Sequence, residues 1–166
     1  EPMALGYSAA GEGIEAGRAV QAFKPGDRVA VAGPHAGVVA AGEHLCAAIP
    51  SGVSYDQAAF TGVASIALQG LRLTNTELGA RVLVIGLGLI GQITVCLLKA
   101  QGCRVFGVDL DETRLELAKS LGADDVATGY PLEALLAMTE GQGVDASIIE
   151  NMHDAPYVHG DRLGPE

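Results

Sequence analysis

The sequence predicts an α/β protein in which a parallel sheet follows a smaller β-rich unit. Beyond residue 54, short β-branched runs alternate with helical patterns, which is typical of parallel strands joined by right-handed crossovers. Before residue 54, short apolar runs alternate with Gly and Pro turn signals, which favour several short strands. The 166 residues, 49% of them hydrophobic, can bury a core. We therefore predict domains over residues 1–53 and 54–150, followed by an irregular tail over residues 151–166.

The first domain is predicted to consist of short strands. Lys24-Pro25-Gly26-Asp27 forms a turn, because Pro25 presets φ and Gly26 accepts a positive φ. Pro50 ends the last strand. The predicted strands cover residues 6–14, 28–32, 37–41 and 45–49.

The second domain is predicted to begin with a helix over residues 55–73. Ser54 and Gln57 have the spacing of a capping box, which marks the start of this helix. The strands that follow are predicted over residues 81–85, 104–108, 125–127 and 144–149. The helices between them are predicted over residues 90–100, 112–121 and 132–139.

A glycine motif lies at the first strand-to-helix turn of this domain. Residues 86–91 read GLGLIG; they follow the run RVLVI and open a helical pattern, and Asp109 ends the next predicted strand. This order of strand, GxGxxG turn, helix and acidic residue is the one that a dinucleotide-binding Rossmann-type fold requires. The alternative is a glycine-rich helix entry that holds no ligand.

The residues of the motif have distinct predicted roles. Gly86 makes the tight turn, Gly88 lets a pyrophosphate approach the backbone, and Gly91 allows the helix to pack against the strand. The free N–H groups near Leu89 and Ile90, together with the helix dipole, would face the pyrophosphate. We predict that these five residues bind the cofactor.

Asp109 and Arg114 are the predicted residues on the ribose side. Asp109 can accept hydrogen bonds from both hydroxyls of the adenosine ribose, and its carboxylate would repel a 2′-phosphate. We therefore predict NAD as the cofactor, with NADP disfavoured. Arg114 either covers the adenine or pairs with a ribose phosphate, which leaves room for NADP. Alternatively it forms an ion pair with a neighbouring Glu or Asp on the helix surface.

The charge and the cysteine content exclude several function classes. The chain has 20 acidic and 10 basic residues and a net charge of −10, which disfavours nucleic acid and anionic membrane surfaces as partners. The three cysteines show no CxxC spacing, so we predict free thiols and a cytoplasmic location. No apolar run is long enough to cross a membrane.

Several stretches occur in the order found in a known family. They are GYSAAG over residues 6–11, FKPGDRV over 23–29, AAF over 58–60, and the dinucleotide unit with VDLDETRLELAKSLGA. Over residues 5–150, the chain resembles the medium-chain dehydrogenase/reductase superfamily of alcohol dehydrogenases and quinone reductases. The first stretch is most similar to that of the zinc-lacking bi-domain oxidoreductases. The resemblance implies part of a GroES-like catalytic domain before a partial Rossmann domain. It also implies NAD(P)-dependent hydride transfer to or from an alcohol, sugar or polyol carbonyl.

The family's zinc ligands are replaced in this chain. By the resemblance, Tyr7 and Ser8 stand where zinc enzymes have a His ligand and a Glu, and Gly62 stands at a further ligand position. His35 and His44 show no ligand spacing and are predicted to be surface or loop residues. We therefore predict that the protein holds no metal.

Without zinc, another group has to polarise the carbonyl. Tyr7 occupies a metal-ligand position and is the predicted hydrogen-bond donor; alternatively its ring is packed and its hydroxyl bonds to backbone. By the resemblance, Ser65 lies in the region that faces the nicotinamide, where it bonds a substrate or ribose hydroxyl, or else the carbonyl four residues back. Glu150 ends the last predicted strand and lies near the nicotinamide ribose, or only caps the strand.

Two other functions stay open. One is a non-catalytic dinucleotide-binding module or truncated remnant; the other is a zinc-free quinone or enoyl reductase using NADPH, against which Asp109 argues. The chain has about half the family's usual length, so we expect a fragment or a truncated reading frame. We also expect little turnover of a small-molecule substrate by the isolated chain. An exposed strand edge, at residues 144–149 or in the neighbouring strand, predicts a homodimer or higher homo-oligomer, or else insolubility.

Overall fold

A computed structural model describes residues 6–129, 132–150 and 157–159. The chain divides into two compact units, Glu1–Ser65 and Ile66–Glu166. The predicted boundary between residues 53 and 54 lies before this division, at the start of the first helix. Of the helices in the described part of the chain, none is long and apolar enough to cross a lipid bilayer.

The first unit contains a three-stranded antiparallel sheet in the order β1-β2-β3. Its strands are β1 (Ala9–Glu12), β2 (Arg28–Val31) and β3 (Cys46–Ala48). A strand predicted over residues 37–41 is wrong, because these residues form an exposed loop before a 3₁₀ helix, Glu43–Leu45. Apolar composition favoured a strand there, but no neighbouring strand pairs with the segment within the described residues.

The predicted helix over residues 55–73 is divided into α1 (Tyr55–Ala58) and α2 (Thr61–Thr74). The capping box at its start is confirmed, because the side chains of Ser54 and Gln57 each accept the other's backbone N–H. The break has a cause far away in sequence. The Ser8 hydroxyl donates to the Ala59 carbonyl at 2.5 Å and accepts the Gly62 N–H at 3.0 Å, so one side chain pairs with backbone groups on both sides of the break.

The second unit contains a five-stranded sheet in the order β6-β5-β4-β7-β8. The first four strands in this order are mutually parallel, whereas β8 pairs with β7 in the antiparallel direction. The strands are β4 (Arg81–Ile85), β5 (Arg104–Asp109), β6 (Asp125–Thr128), β7 (Ala146–Ile149) and β8 (Tyr157–His159). The helices that follow them are α3 (Leu89–Gln101), α4 (Glu112–Ser120) and α5 (Leu132–Met138). The predicted Rossmann-type sheet is thus confirmed.

Both faces of this sheet are covered, which explains why its strands are apolar without alternation. Side chains of Val82, Val84 and Val105 belong to a core that includes residues of α3 and α4. Those of Leu83 and Phe106 belong to a second core, which includes a residue of α5. The carboxyl ends of β4, β5 and β7 therefore come together at one edge of a rigid sheet, where ligands bind in open α/β folds.

The predicted irregular tail is wrong for residues 157–159, which form β8. Ile148 of β7 lies opposite Val158 of β8. The pairing arises because β7 offers unpaired backbone groups, a tertiary effect that the tail's local pattern does not reveal. The rest of the predicted tail lies outside the described residues. Since β8 pairs with the β7 edge, this edge is not free to pair with a second copy of the chain. The homo-oligomer stays a prediction, but the exposed edge no longer supports it.

Candidate functional site at the glycine loop

The turn between β4 and α3, residues 86–91, is called the glycine loop below. Gly86 has a φ of +88°, a left-handed conformation that disfavours side chains. A Cβ there would lie 2.5 Å from the Glu150 carbonyl oxygen at the end of β7. At Gly91, a Cβ would overlap the Gly86 carbonyl oxygen. Both glycines are therefore required by close backbone contacts inside the fold.

Gly88 differs from its two neighbours in the motif. It is the N-cap residue of α3, with φ −69° and ψ −164°, and no side chain caps the helix. No described atom lies within 4 Å of the position that a Gly88 Cβ would take. The first backbone bond of the helix runs from the Gln92 N–H to the Gly88 carbonyl at 2.9 Å, so the N–H groups of Leu89 and Ile90 lack partners within the helix. The loop thus presents an open helix N-terminus, which is suited to an anion.

Leu87 fixes the loop to the sheet, a role that the sequence analysis missed. Its side chain is fully buried, and a Cβ on Gly107 of β5 would come within 3.0 Å of it. Its backbone N–H donates to Asp109 Oδ2 at 2.6 Å. The glycine in the run RVFGVD was the available signal, because it makes room for a side chain above the strand.

Asp109 lies at the end of β5 beside the glycine loop, with a side chain only 8% exposed. Its Oδ1 accepts the Asp111 N–H at 2.9 Å, while Oδ2 accepts the Leu87 N–H. Burial raises the pKa of this carboxyl, but the backbone hydrogen bonds, led by that from Asp111, outweigh burial and lower the pKa overall. The carboxylate is therefore ionised at neutral pH. Each of its oxygens retains capacity for a further hydrogen bond.

Arg114 lies on α4 between two carboxylates. Its Nη1 is 3.6 Å from Asp109 Oδ2, and its Nε is 3.6 Å from Asp111 Oδ2. Asp111 is also the N-cap of α4 and accepts the Thr113 N–H at 2.9 Å. The geometry matches the alternative of an ion pair with a neighbouring Asp, and it also keeps the guanidinium beside the predicted ribose carboxylate.

Glu150 follows β7 at the same edge of the sheet. Its Oε1 accepts the Thr94 hydroxyl of α3 at 3.1 Å, while its backbone carbonyl closes over Gly86. Burial raises the pKa of the Glu150 carboxyl, although the hydrogen bond from Thr94 acts in the opposite direction. Glu150 therefore lies against the loop and α3, and its predicted place near a nicotinamide ribose stays a prediction.

The predicted catalytic residues belong to the first unit. Tyr7 is 55% exposed, and its backbone carbonyl accepts the Gly33 N–H at 3.1 Å. The Ser65 hydroxyl donates to the Gly62 carbonyl at 2.6 Å, which lies three residues back rather than the four residues of the predicted alternative. The Ser8 hydroxyl forms hydrogen bonds with backbone groups on both sides of the break between α1 and α2. Catalytic roles for Tyr7 and Ser65 stay predictions.

The described histidines and acidic residues do not cluster as metal ligands. His35 and His44 are exposed, as predicted, and His35 Nε2 lies 3.1 Å from the Ser8 carbonyl oxygen. Among residues 6–129, 132–150 and 157–159, no group of three His, Cys, Asp or Glu side chains could hold a metal ion. The predicted independence from zinc stays a prediction.

Residues 90–154 match the family model described as zinc-binding dehydrogenase. The chain is 30% identical over 187 residues to NADP-dependent isopropanol dehydrogenase of Thermoanaerobacter brockii, covering 89% of this chain and 53% of that relative. It is 34% identical over 152 residues to D-guloside 3-dehydrogenase of Shigella flexneri, covering 87% and 43%. A crystal structure of a probable oxidoreductase from Mycobacterium abscessus superimposes with a TM-score of 0.75 at 27% identity, covering 86% and 48%.

The chain spans about half the length of the curated relatives that it matches. The assignment to the bi-domain oxidoreductase branch stays a prediction. Sequence identity extends along nearly the whole chain, and the order of elements from β4 to β7 carries the glycine loop and Asp109 at the expected places. The chain belongs to the medium-chain dehydrogenase/reductase superfamily.

Proposed function

We propose that this chain binds NAD(H) at the glycine loop, with the pyrophosphate at the N-terminus of α3 and the adenosine ribose on Asp109. One observation carries the proposal: the open, uncapped helix end at Gly88 lies beside an ionised carboxylate. Backbone N–H groups and the helix dipole attract a diphosphate, and the free capacity of the carboxylate suits two ribose hydroxyls. Backbone N–H donors would thus bind the diphosphate of this small-molecule partner, and a carboxylate acceptor would bind its ribose.

The charges around the ribose position favour NAD(H) over NADP(H). Asp109 and Asp111 both have lowered pKa values; for Asp111, the main cause is the hydrogen bond from the Thr113 side chain. A 2′-phosphate would meet two ionised carboxylates, and the guanidinium of Arg114 beside them is already paired with both. The Thermoanaerobacter relative is named as NADP-dependent, so the preference requires a direct test.

NADH is expected to bind at least about tenfold more tightly than NADPH. The 2′-phosphate of NADPH replaces a ribose hydroxyl that would donate to the Asp109 carboxylate, and the two negative groups repel each other. Titration calorimetry with both nucleotides measures the ratio. Asp109→Asn should weaken NADH binding about tenfold and reduce the ratio of the NADPH and NADH dissociation constants. The matched control is Asp125→Asn, at the far end of β6, which removes an exposed ion pair with Lys119 and should change neither affinity. Equal or tighter binding of NADPH by the wild type would remove the role assigned to Asp109.

We further propose that the natural reaction is oxidoreduction of an alcohol, sugar or polyol carbonyl without zinc. The nicotinamide, when bound, supplies or accepts the hydride. Tyr7 would donate a hydrogen bond to the carbonyl oxygen as negative charge develops there, and Ser65 would bind a substrate or ribose hydroxyl. Half-exposure of Tyr7 and the donor-acceptor character of both hydroxyls support these roles. A cytoplasmic location is proposed with it, because the thiol of Cys103 is buried and free, as suits a reducing compartment.

Metal content and turnover test this second proposal together. Elemental analysis after dialysis should find no stoichiometric zinc. NADH absorbance should be followed with alcohols, aldehydes, polyols and quinones, using the wild type and Tyr7→Phe. Any turnover is expected to fall about 10²-fold or more in Tyr7→Phe if the phenol donates the proton. One retained zinc per chain, or turnover that does not depend on the Tyr7 hydroxyl, would contradict the proposed mechanism.

A second candidate function is dinucleotide binding without turnover. The observation that favours it is the division of the chain: the glycine loop and Asp109 lie in the second unit, whereas Tyr7 and Ser65 lie in the first. The contacts described above for the glycine loop all come from the second unit. Saturable NADH binding without turnover of any tested substrate class is the result expected for this candidate.

A further inference from the structure

Gln92 joins the glycine loop to α4 through a single amide group. The residue lies in the first turn of α3 and is only 7% exposed. Its Nε2 donates to the carbonyl oxygens of Leu87 and Arg114, each at 2.9 Å. The first acceptor belongs to the loop, and the second belongs to the helix that follows the ribose carboxylate. Gln92 thus adds hydrogen bonds between two segments that also share a hydrophobic core and flank β5.

These bonds close a ring of interactions around the candidate site. Leu87 donates its N–H to Asp109 and accepts from Gln92 with its carbonyl, so the peptide groups before and after Leu87 are each held by a hydrogen bond. Arg114 pairs with Asp109 through its guanidinium and is held by Gln92 at its carbonyl. The ring therefore fixes the spacing between the helix end that attracts a diphosphate and the carboxylate that suits a ribose.

Packing alone is a poor reason for a glutamine at this position. Gln92 Oε1 is buried and has no hydrogen-bond partner among the described residues. An unpaired buried oxygen costs free energy, whereas an unbranched apolar side chain of similar length would fill the space without that cost. The two bonds made by Nε2 are the feature that only an amide donor supplies here.

We propose that Gln92 is a positioning residue for ligands that span the ribose and the diphosphate of a dinucleotide. The inference rests on the proposed function and adds a residue that contributes through Leu87 and Arg114 rather than by touching the nucleotide. When the glycine loop and Asp109 are already held at the distance that the bound ligand requires, binding does not have to order them. The affinity is therefore not reduced by the entropy cost of that ordering. Ligands that occupy one half gain little from this spacing, whereas ADP and NADH gain from it fully.

The test compares Gln92→Met with Gln101→Met. Gln101 ends the same helix, bonds through Nε2 to the Thr76 carbonyl at 2.6 Å, and also has a buried Oε1 without a partner among the described residues. It therefore serves as a control for the loss of a buried amide far from the loop. Affinities for NADH, ADP and adenosine are measured by calorimetry or ligand-observed NMR, and stability by thermal unfolding.

Gln92→Met is expected to weaken NADH and ADP about tenfold each, with less than about threefold change for adenosine. Gln101→Met should leave all three affinities unchanged. If Gln92→Met binds ADP and NADH like the wild type, the positioning role is overturned even though the site binds. If the wild type binds neither ligand, the proposed function itself fails. Should Gln92→Met not fold, Gln92→Ala replaces it, because a methyl side chain cannot donate to either carbonyl and places no charge in the buried position; unchanged affinity in that variant overturns the role equally.

Discussion

Gly91→Ala is expected to lose about 3 kcal/mol of unfolding free energy, or to fail to fold. The added Cβ would overlap the Gly86 carbonyl oxygen. That oxygen belongs to a turn with left-handed φ, which is itself pressed against the Glu150 carbonyl. The loop cannot move away from the methyl group without displacing the end of β7. The cost is therefore larger than that of a methyl group placed against a flexible side chain.

Chemical denaturation of Gly91→Ala and the wild type measures this loss. Gly88→Ala, three positions earlier in the same loop, is the control, because its Cβ meets no described atom within 4 Å. Its backbone, with φ −69° and ψ −164°, is also accessible to alanine. Wild-type stability of Gly91→Ala would show that α3 does not approach the Gly86 turn as closely as described.

Gly88→Ala is expected to weaken NADH binding about a hundredfold while leaving stability within about 0.5 kcal/mol of the wild type. The space beside Gly88 is open in the protein, but it is the space that a diphosphate on the helix N-terminus would occupy. A methyl group there would prevent the close approach on which bonds to the Leu89 and Ile90 N–H groups depend. The substitution is therefore expected to lower the affinity for NADH without lowering the free energy of unfolding.

Thermal unfolding and NADH titration of Gly88→Ala separate the two effects. A matched loss of affinity and stability would mean that the variant disturbs the fold. Unchanged affinity in a stable variant would mean that the diphosphate lies elsewhere. Together with Gly91→Ala, the variant distinguishes a glycine required by the fold from one required by the ligand.

The parallel sheet was predictable because its signals are local. The run RVLVI of β4 is apolar at every position but the first, and it ends at a GxGxxG turn. Burial on both faces gives such strands their composition, and the turn chemistry sets where α3 begins. Bounds of the predicted strand, residues 81–85, agree with those of β4. Asp109 was likewise found by its place after the second strand.

Features set by distant contacts were not predictable. The break between α1 and α2 depends on Ser8, which lies 51 residues before its acceptor Ala59. Strand β8 exists through pairing with β7, and its own residues have no strand period. The loop over residues 37–41 has a strand-like composition but no partner strand among the described residues. Local propensity cannot distinguish these cases, because the deciding group lies elsewhere in the chain.

In the candidate site too, residues whose roles depend on distant contacts could not be predicted from the sequence. Glycine positions follow from backbone requirements, so the motif locates them. Leu87 and Gln92 were missed because their roles depend on Asp109 and Arg114, each 22 residues away in sequence. An apolar residue inside the motif and a glutamine after it carry no signal of those bonds. The ring of interactions became visible only when β5 and α4 were placed beside the loop.

The most direct test of the central claim is a map of NADH binding by amide chemical shifts. A ¹⁵N-labelled sample of the chain is titrated with NADH, and the shift of each backbone N–H is followed. We expect saturable changes that are largest at Gly88, Leu89, Ile90 and Gly91, with a second group around Asp109 and Asp111. Changes confined to the first unit, or no saturable change at the glycine loop, would contradict the claim that this loop binds the dinucleotide.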